Sequence, residues 1–535
     1  MKFPSFFLLF SLLGWAVGCS GPQTGEPTAR RSLEASAEAM GGWDALRNAH
    51  TQRLVSEGSE WEPFQAFRPG ENLQVNRFTS TLTLDYSSSS IRLELQADMI
   101  HPRVRSQQFT EVINGGLGML EQAETDGTLE RSRLHSSRTA TRLRDLNRTP
   151  VRVLLTASQA SALTRLPDET ADGVSYQVLE YRDFGQAVRL RLESSTSLPA
   201  SVAYLEDDPV QGDTWNEIRW SDWRPLGDLK LPYALEQRVN GLIIRKETFQ
   251  TIQNNPPVAP QNDFAIPEEI RQAPEVGEPV VSQWVLRRVA MGASYLDFTQ
   301  SQKAPLQAVA PGVWLATGAG HQTLVIEMSD HLMLVEAPLY DERSLAVIQA
   351  VKEKFSAKPI RYIVMTHHHN DHSGGIRTYV AEGATVVAHS SLLPFLRTVF
   401  TSPKTVRPDS LARLVAGSGK QPEIKLEGVD KLKEYTDGTR VVRLYPVTPN
   451  PHAESLLLVY LPGELLTFAA DLVTPDLLSE TSAIETRAFA YYDFVKKNGL
   501  QVDRIGRVHG EVIPFRNFAA KIEQARREEN NSSAR

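Results

Sequence analysis

The chain has 535 residues, a formal net charge of −7 and a single cysteine. A chain of this length exceeds what one hydrophobic core organises, so we expect at least two domains. The acidic balance, with a pI of about 6.0, gives no reason to expect a nucleic acid as a partner. One cysteine also excludes a disulfide within the chain, so the burial of apolar side chains must stabilise the fold.

The N-terminus has the layout of an export signal. A charged start is followed by an apolar stretch at 6–17 and by small residues before Cys19. This stretch is too short to span a membrane comfortably. The sequence Ala-Val-Gly-Cys ending at Cys19 resembles the lipobox of bacterial lipoproteins. That resemblance implies a signal peptide at 1–18, lipidation of Cys19 and a flexible tether at 19–28; an ordinary secretory signal is the alternative. Ser20 then implies an outer-membrane lipoprotein that faces the periplasm.

Residues 29–253 are predicted to form a β-rich domain. The first part, 29–49, has helical spacing, and many later segments alternate apolar and polar residues. The sequence Asn240-Gly241 between two strand-like runs is the strongest short signal for a hairpin. Residues 134–166 are predicted to be largely helical, with a break at Pro150. We therefore expect a large antiparallel, half-barrel-like sheet with a few helices.

This layout resembles the half-barrel sheets of periplasmic lipoprotein-carrier proteins. The resemblance implies that the sheet binds an acyl chain or helps to recognise a substrate, and a structural platform is an equal alternative. The arginine-rich stretch 131–152 is expected to be a solvated helical face or loop, with lipopolysaccharide or phosphate binding as the alternative.

A proline-rich linker is predicted at 254–281, because six prolines fall between Pro256 and Pro279. The second domain is predicted at 282–535. It opens with a helix at about 282–293, followed by strand pairs and a helix at 341–354 before the strand 360–365. We expect further helices at 482–498 and after Phe518.

The most informative motif follows the strand 360–365. His367, His369, Asp371 and His372 fit the pattern His-x-His-x-Asp-His. A buried strand that ends in a tight loop can aim alternate side chains at one point, and the next residues reach a second point nearby. Such a pair of points is the geometry of a two-metal site.

Three further metal-capable residues end strand-like segments downstream, namely His452, Asp471 and His509. The whole set and its spacing resemble the metallo-β-lactamase superfamily over roughly residues 305–520. This resemblance implies an α+β chain whose C-terminal domain is an αββα sandwich of two mixed sheets. It also implies that His367, His369 and His452 hold one metal ion. The second ion would be held by Asp371, His372 and His509, with Asp471 as the bridge.

Two positions depart from the pattern of many relatives, which have glycine where this chain has Pro451 and Ala470. True β-lactamases of the superfamily lack the bridging aspartate, so the chain looks more like the branch of glyoxalase II, lactonases and phosphodiesterases. The resemblance implies a small-molecule hydrolase with two divalent ions, zinc first and iron or manganese as options. A metal-bound hydroxide would attack an ester, lactone, thioester or phosphodiester, and Asp371 would orient it.

Two other readings stay open. One is an enzyme that resembles the mononuclear iron persulfide dioxygenases of the same superfamily. The other is a non-catalytic, lipid-binding envelope lipoprotein. Three more residues are candidates for supporting a ligand or contacting substrate. His389 ends a strand-like run, and Tyr491 and Tyr492 lie on a predicted helix, where core packing is the competing role.

Overall fold

The computed structural model describes residues 26–102, 104–123, 128–274, 280–290, 303–474 and 484–533. The predicted signal peptide, Cys19 and the tether up to residue 25 lie outside the described residues. The last residues of the predicted tether, 26–28, already belong to helix α1 (Glu26–Met40). Among the described helices, none combines the length and the hydropathy that a membrane-crossing helix requires.

The N-terminal half is built on one antiparallel sheet of thirteen strands. The strands are β1 (Thr51–Trp61), β2 (Gln74–Asp85), β3 (Ser90–Met99), β4 (Arg105–Asn114), β5 (Leu117–Ala123), β6 (Leu129–Arg133), β7 (Leu163–Ala171), β8 (Val174–Asp183), β9 (Gln186–Glu193), β10 (Pro199–Asp208), β11 (Gly212–Leu226), β12 (Leu229–Val239) and β13 (Leu242–Asn254). Their order is β6-β5-β4-β3-β2-β1-β13-β12-β11-β10-β9-β8-β7, so the first and last strands pair at the centre. The prediction of a large antiparallel sheet is confirmed.

The predicted hairpin joins β12 and β13. Val239 pairs with Leu242, and the two residues between them, Asn240 and Gly241, have φ angles of 46° and 83°. Positive φ at both central positions matches the right-handed twist of the flanking strands, which is why Asn-Gly is favoured there.

Helices cover one face of the sheet. They are α1, α2 (Trp43–Arg47), α3 (Ser136–Asn147) and α4 (Pro150–Gln159). Pro150 opens α4, so the predicted break is confirmed. The predicted helix is too long, because the chain enters β7 at Leu163. Below the helices, apolar side chains of α1 and α4 share one core with the strands.

The arginine-rich stretch is not a solvated face. Arg138, Arg144 and Arg148 are at most 2% exposed. Arg138 forms an ion pair with Glu111, and Arg148 stacks 3.6 Å from the ring centroid of Tyr204. The arginines lie between α3 and the sheet, where only paired or stacked charges are tolerated.

The proline-rich segment contains two short helices, α5 (Pro260–Asp263) and α6 (Glu268–Gln272), and is followed by α7 (Gln283–Ala290). Phe264, Ile266 and Ile270 pack against Val112 and Met119 of the sheet, so apolar contacts fix this segment to the first domain.

The C-terminal half consists of two sheets packed face to face. The first sheet contains β14 (Leu306–Ala310), β15 (Val313–Ala316), β16 (Thr323–Glu327), β17 (Leu332–Val335), β18 (Ile360–Val364), β19 (Thr385–His389) and β20 (Leu426–Val429), in that order. The second contains β21 (Lys433–Thr436), β22 (Val441–Pro446), β23 (Leu457–Leu461), β24 (Leu466–Phe468), β25 (Arg504–Gly506) and β26 (Ile513–Pro514). Buried Val, Leu and Ile side chains from both sheets form the layer between them.

Helices cover the outer faces of both sheets. The first sheet is covered by α8 (Asp341–Lys354), α10 (Ile376–Ala381), α11 (Leu393–Thr401) and α12 (Ser410–Ser418). The second is covered by α13 (Thr486–Lys497) and α14 (Phe515–Ser533), and the four-residue helix α9 (Asn370–Ser373) follows β18 at the edge. These layers confirm the predicted αββα sandwich.

Candidate metal centre

The seven predicted ligands meet at one edge of the sandwich. His367 and His369 lie on the loop after β18, and α9 carries Asp371 and His372. The other three stand in loops of the second sheet: His452 between β22 and β23, Asp471 in a short 3-10 helix after β24, and His509 after β25. Loops that leave neighbouring strand ends can converge on one point, which explains how residues more than a hundred positions apart become neighbours.

The first cluster consists of His367, His369 and His452. His367 Nε2 lies 3.1 Å from His369 Nδ1 and 3.2 Å from His452 Nε2. The three ring nitrogens therefore converge on one small volume, as three protein ligands of a tetrahedral metal ion do.

The second cluster consists of His372, Asp471 and His509. Asp471 Oδ1 lies 3.2 Å from His372 Nε2 and 3.4 Å from His509 Nε2. Its other oxygen, Oδ2, lies 3.3 Å from His452 Nε2 in the first cluster. Asp471 thus presents one carboxylate oxygen to each cluster, which is the placement that a bridging ligand needs.

Four of the histidines have hydrogen bonds that fix which ring nitrogen is free. His372 Nδ1 donates to Glu336 Oε2, His509 Nδ1 donates to the Gly320 carbonyl, and His369 Nε2 donates to the Ala66 carbonyl. Thr366 donates its only hydroxyl proton to Glu336, so its oxygen accepts from His367 Nδ1. For His367, His369 and His509 the nitrogen that points into the cluster keeps its lone pair, as metal ligation requires. His372 must release a proton from Nε2 before it can ligate, because its pKa is raised.

His452 differs from these four histidines. Arg487 Nη1 lies 3.1 Å from His452 Nδ1, and a guanidinium can only donate. In this arrangement Nε2 carries the proton and faces Asp471. Ligation through Nε2 therefore requires Arg487 to leave Nδ1.

The charges around the second cluster suit a cation. Burial alone would lower the pKa of His372, but Asp471, Glu336 and Asp371 together hold it well above its usual range. His372 Nε2 and Asp471 Oδ1 are both buried, and neither completes a hydrogen bond with a group of the described residues. A divalent ion bound here would take the place of the proton on His372 Nε2, because an imidazole ligates only after deprotonation.

The first cluster is electrically different. Burial and the neighbouring imidazoles hold the pKa of His367 and that of His369 well below their usual range. Both rings are therefore neutral at physiological pH, which is the form in which imidazole binds a metal.

Asp371 is held from three sides. Arg288 Nη2 lies 3.2 Å and His321 Nε2 lies 3.1 Å from its Oδ2, and Gln65 Nε2 donates to its Oδ1 at 2.5 Å. Burial alone would raise the pKa of Asp371, but Arg288, His372 and His321 together keep it well below its usual range. Asp371 is therefore an oriented, ionised carboxylate.

A loop of the N-terminal domain closes over the centre. In this β1–β2 loop, residues 62–73, the Phe64 carbonyl accepts from the Asn370 amide and the Ala66 carbonyl accepts from His369. Arg68 adds an exposed ion pair with Glu454. The first domain therefore supplies part of the wall of the metal centre and is more than a spacer.

Two residues at the centre have strained backbone. Ala470, the position at which many relatives have glycine, has φ of 45°, and Glu336 has φ of 76°. A non-glycine residue in this region costs about 1 to 3 kcal/mol and persists only where the surroundings enforce it. Ala470 adopts the conformation that glycine would take more easily, so the departure from the family pattern leaves the placement of Asp471 intact.

Three candidates have described contacts that do not include the ligands. His389 accepts from the Ser391 amide at the start of a short 3-10 helix, Ser390–Leu392. Tyr491 bonds with Thr467 at 2.6 Å, and the Tyr492 hydroxyl donates to Glu523. Both tyrosines pack against Phe518, so their described contacts are those of the core under α13.

Several residues at the centre escaped the sequence analysis. His321 is 3% exposed, and its ring centroid lies 4.3 Å from that of His509. Gln65, Ala66 and Arg288 come from segments distant in sequence, and no spacing could have linked them to the motif. For Glu336 the sequence contained one indication of a role at the centre, because this residue directly follows the buried strand β17.

Comparison with known proteins locates the family. Residues 317–505 match the family model described as the metallo-beta-lactamase superfamily. The match contains all of the candidate ligands except His509. A search among curated proteins found no significant match.

Three similar solved structures illustrate the comparison. The metallo-β-lactamase FIM-1 from Pseudomonas aeruginosa, in a mono-zinc form, is 18% identical with a TM-score of 0.30, and the alignment covers 42% of this chain and 96% of that protein. The sec-alkylsulfatase Pisa1 from Pseudomonas sp. is also 18% identical with a TM-score of 0.30, covering 41% of each chain. A metallo-β-lactamase from Hirschia baltica is 16% identical with a TM-score of 0.30, covering 41% of this chain and 96% of its own.

The αββα layers, the ordered His and Asp ligands and the family match agree with one another. The C-terminal part of this chain is a domain of the metallo-β-lactamase superfamily, with the residues of a metallo-hydrolase.

Proposed function

We propose that the chain hydrolyses a small-molecule ester, lactone, thioester or phosphodiester with the help of two divalent metal ions, zinc being the first candidate. One observation carries the proposal: Asp471 presents one oxygen to each of two histidine clusters whose ring nitrogens converge on a small volume. Imidazole and carboxylate ligands also suit iron or manganese.

His367, His369 and His452 would hold the first ion, and His372, His509 and Asp371 the second, with Asp471 between them. Bound divalent ions supply Lewis acidity and water whose pKa is lowered toward neutrality. The chain itself supplies orientation: Glu336, Gly320 and Ala66 fix the imidazole rings, and this fixed geometry avoids reorganisation during the reaction.

Asp371 is the residue we assign to orienting the attacking water. Its carboxylate is ionised, buried and held by Arg288, His321 and Gln65. A carboxylate in this state can accept a hydrogen bond from the attacking water and orient it. Because one oxygen is held by Gln65 and the other by Arg288 and His321, the acceptor lone pairs keep a fixed direction.

The first experiment measures the metal content of the protein purified without its signal, beside a screen of lactone, thioester and phosphodiester substrates. We expect about two zinc or manganese ions per chain and turnover of one substrate class. The His367→Ala and Asp471→Ala variants should lose metal and hydrolysis together, whereas His389→Ala should keep both.

Full activity in a metal-free His367→Ala protein would contradict the proposal. One iron per chain, with oxygen uptake on persulfides and no hydrolysis, would favour the dioxygenase instead. Tightly bound lipid without turnover of any ester would favour the lipid-binding lipoprotein.

We also propose that the mature protein is anchored in the bacterial cell envelope through a lipid on Cys19. The support is the lipobox-like sequence and the position of the single cysteine of the chain. The mass of the N-terminal peptide from membrane fractions tests this, because lipidation adds acyl chains that the Cys19→Ala variant cannot carry. An unmodified peptide from a soluble wild-type protein would contradict it.

A further inference from the structure

A cavity of about 220 Å³ lies between the N-terminal sheet and helices α3, α4 and α7. Its lining combines apolar side chains of the central strands, such as Leu93, Leu95 and Ala97 of β3, with charged side chains such as Arg142 and Glu247. Protein interiors pack with few voids larger than a water molecule, and the apolar part of such a cavity can take up apolar groups. The cavity is therefore a candidate ligand site.

Two buried donors in the cavity wall point to a ligand that is not purely hydrocarbon. Gln52 Nε2 and Trp220 Nε1 have no hydrogen-bond partner among the described residues, although both side chains are at most 5% exposed. Gln52 uses its other amide atom to accept from the Tyr86 hydroxyl. Leaving a buried donor unsatisfied is unfavourable, so an oxygen atom on a bound molecule would complete the site.

Three segments that line the cavity continue along the chain to the metal centre. Trp61, Met99 and Arg287 line the cavity. Residues one to four positions after Trp61, Met99 and Arg287 contact or lie near the ligands of the metal centre. Gln65 donates to Asp371, and Arg288 pairs with the same carboxylate. His101, two residues after Met99, is close enough to His452 and Asp371 for both to affect its pKa. Consecutive Cα atoms are 3.8 Å apart, so short segments join the two sites.

We propose that this cavity receives the aliphatic chain of a long-chain carboxylic ester that is hydrolysed at the metal centre, with an oxygen atom of the same molecule accepting from Gln52 Nε2 or Trp220 Nε1. This inference rests on the proposed hydrolase function. Water oxygen bonds to the acyl carbon and the carbon–oxygen ester bond breaks, giving a carboxylate, an alcohol and one proton. The proton passes to solvent.

The test compares kcat/KM for p-nitrophenyl esters of increasing acyl length with the metal-loaded, full-length enzyme. Burying one CH2 group increases kcat/KM by about threefold to fourfold, until the cavity is full. Ala97→Phe narrows the cavity and should lower the ratio of long-chain to short-chain kcat/KM at least tenfold. Gln96→Phe adds the same ring on the opposite face of β3 and should leave the ratio unchanged.

Binding is measured separately by titrating decanol into metal-free protein with calorimetry. Wild type and Gln96→Phe should bind, whereas Ala97→Phe should bind at least tenfold more weakly. Thermal unfolding of each variant checks the fold, and Leu95→Phe serves as a second cavity variant if Ala97→Phe does not fold.

The two proposals fail in different ways. Hydrolysis of short and long esters with equal kcat/KM, together with no decanol binding, would overturn the substrate assignment and leave the hydrolase proposal standing. No hydrolysis of any ester, thioester or phosphodiester by metal-loaded enzyme would overturn both.

Discussion

The contribution of the first domain to the metal centre can be tested at Gln65. Its side-chain amide donates to Asn370 Oδ1 at 2.7 Å and to Asp371 Oδ1 at 2.5 Å, and Gln65 is 5% exposed. Gln65→Met removes both donors and nearly conserves the volume. Since Asp371 is a proposed ligand of the second ion, the substitution should weaken metal binding at the second cluster and leave the first cluster intact.

The magnitude follows from the type of contact. A buried hydrogen bond to a charged group contributes about 1.5 to 3 kcal/mol, which corresponds to roughly 10-fold to 150-fold in a binding constant. Loss of a group that orients a metal ligand typically costs about 10-fold to 100-fold in affinity. Both lines of reasoning therefore predict a weakening of at least tenfold.

The assay is a competition titration with a chelator, using zinc for affinity and cobalt for the ligand-field spectrum of each site. Arg68→Ala is the matched control, because it removes an exposed ion pair from the same β1–β2 loop without touching a ligand. Unchanged affinity of Gln65→Met for the second ion, in a protein with wild-type stability, would refute the reasoning. A loss of equal size in Arg68→Ala would show that the loop as a whole matters and that the Gln65 amide does not.

The remaining predictions concern His321, which contacts Asp371, and the buried carboxylic acid Asp207. His321→Phe removes a hydrogen-bond partner of Asp371 and should lower the affinity for the second ion about tenfold in the same chelator titration. The control His389→Ala should leave that affinity unchanged. Equal effects of the two substitutions would contradict the role of His321 in holding Asp371. Burial, partly offset by Lys404, raises the pKa of Asp207 to about 6. The folded protein therefore holds this proton more tightly than the unfolded chain, and stability should fall by about 2 to 3 kcal/mol as pH rises from about 4 to about 6. Asp207→Asn should flatten that slope in urea unfolding; an unchanged slope would exclude Asp207 as its source.

Local patterns in the sequence predicted many elements correctly. The Asn-Gly turn, the helix at 341–354 and the strand before His367 depend on backbone preferences and periodicity that neighbouring residues decide. The His-x-His-x-Asp-His pattern was equally local, since its side chains are positioned by one strand end and one short helix.

Burial in the first domain was harder to predict. Arg138, Arg144 and Arg148 have the composition of a solvated face, and their partners Glu111, Glu206 and Tyr204 lie on distant strands. Charged residues are buried only when such partners exist, and a single sequence does not show which strands become neighbours.

The type of the C-terminal domain and its seven candidate ligands could be predicted without a structure, because the His and Asp residues and their spacing resemble the metallo-β-lactamase superfamily. The surroundings of these ligands depend on how distant segments pack. Gln65 and Ala66 of the first domain and Arg288 of α7 reach Asp371 and His369 because two domains and a helix pack at one edge of the sandwich. Contacts between such distant segments depend on how whole sheets dock, and no local pattern encodes them.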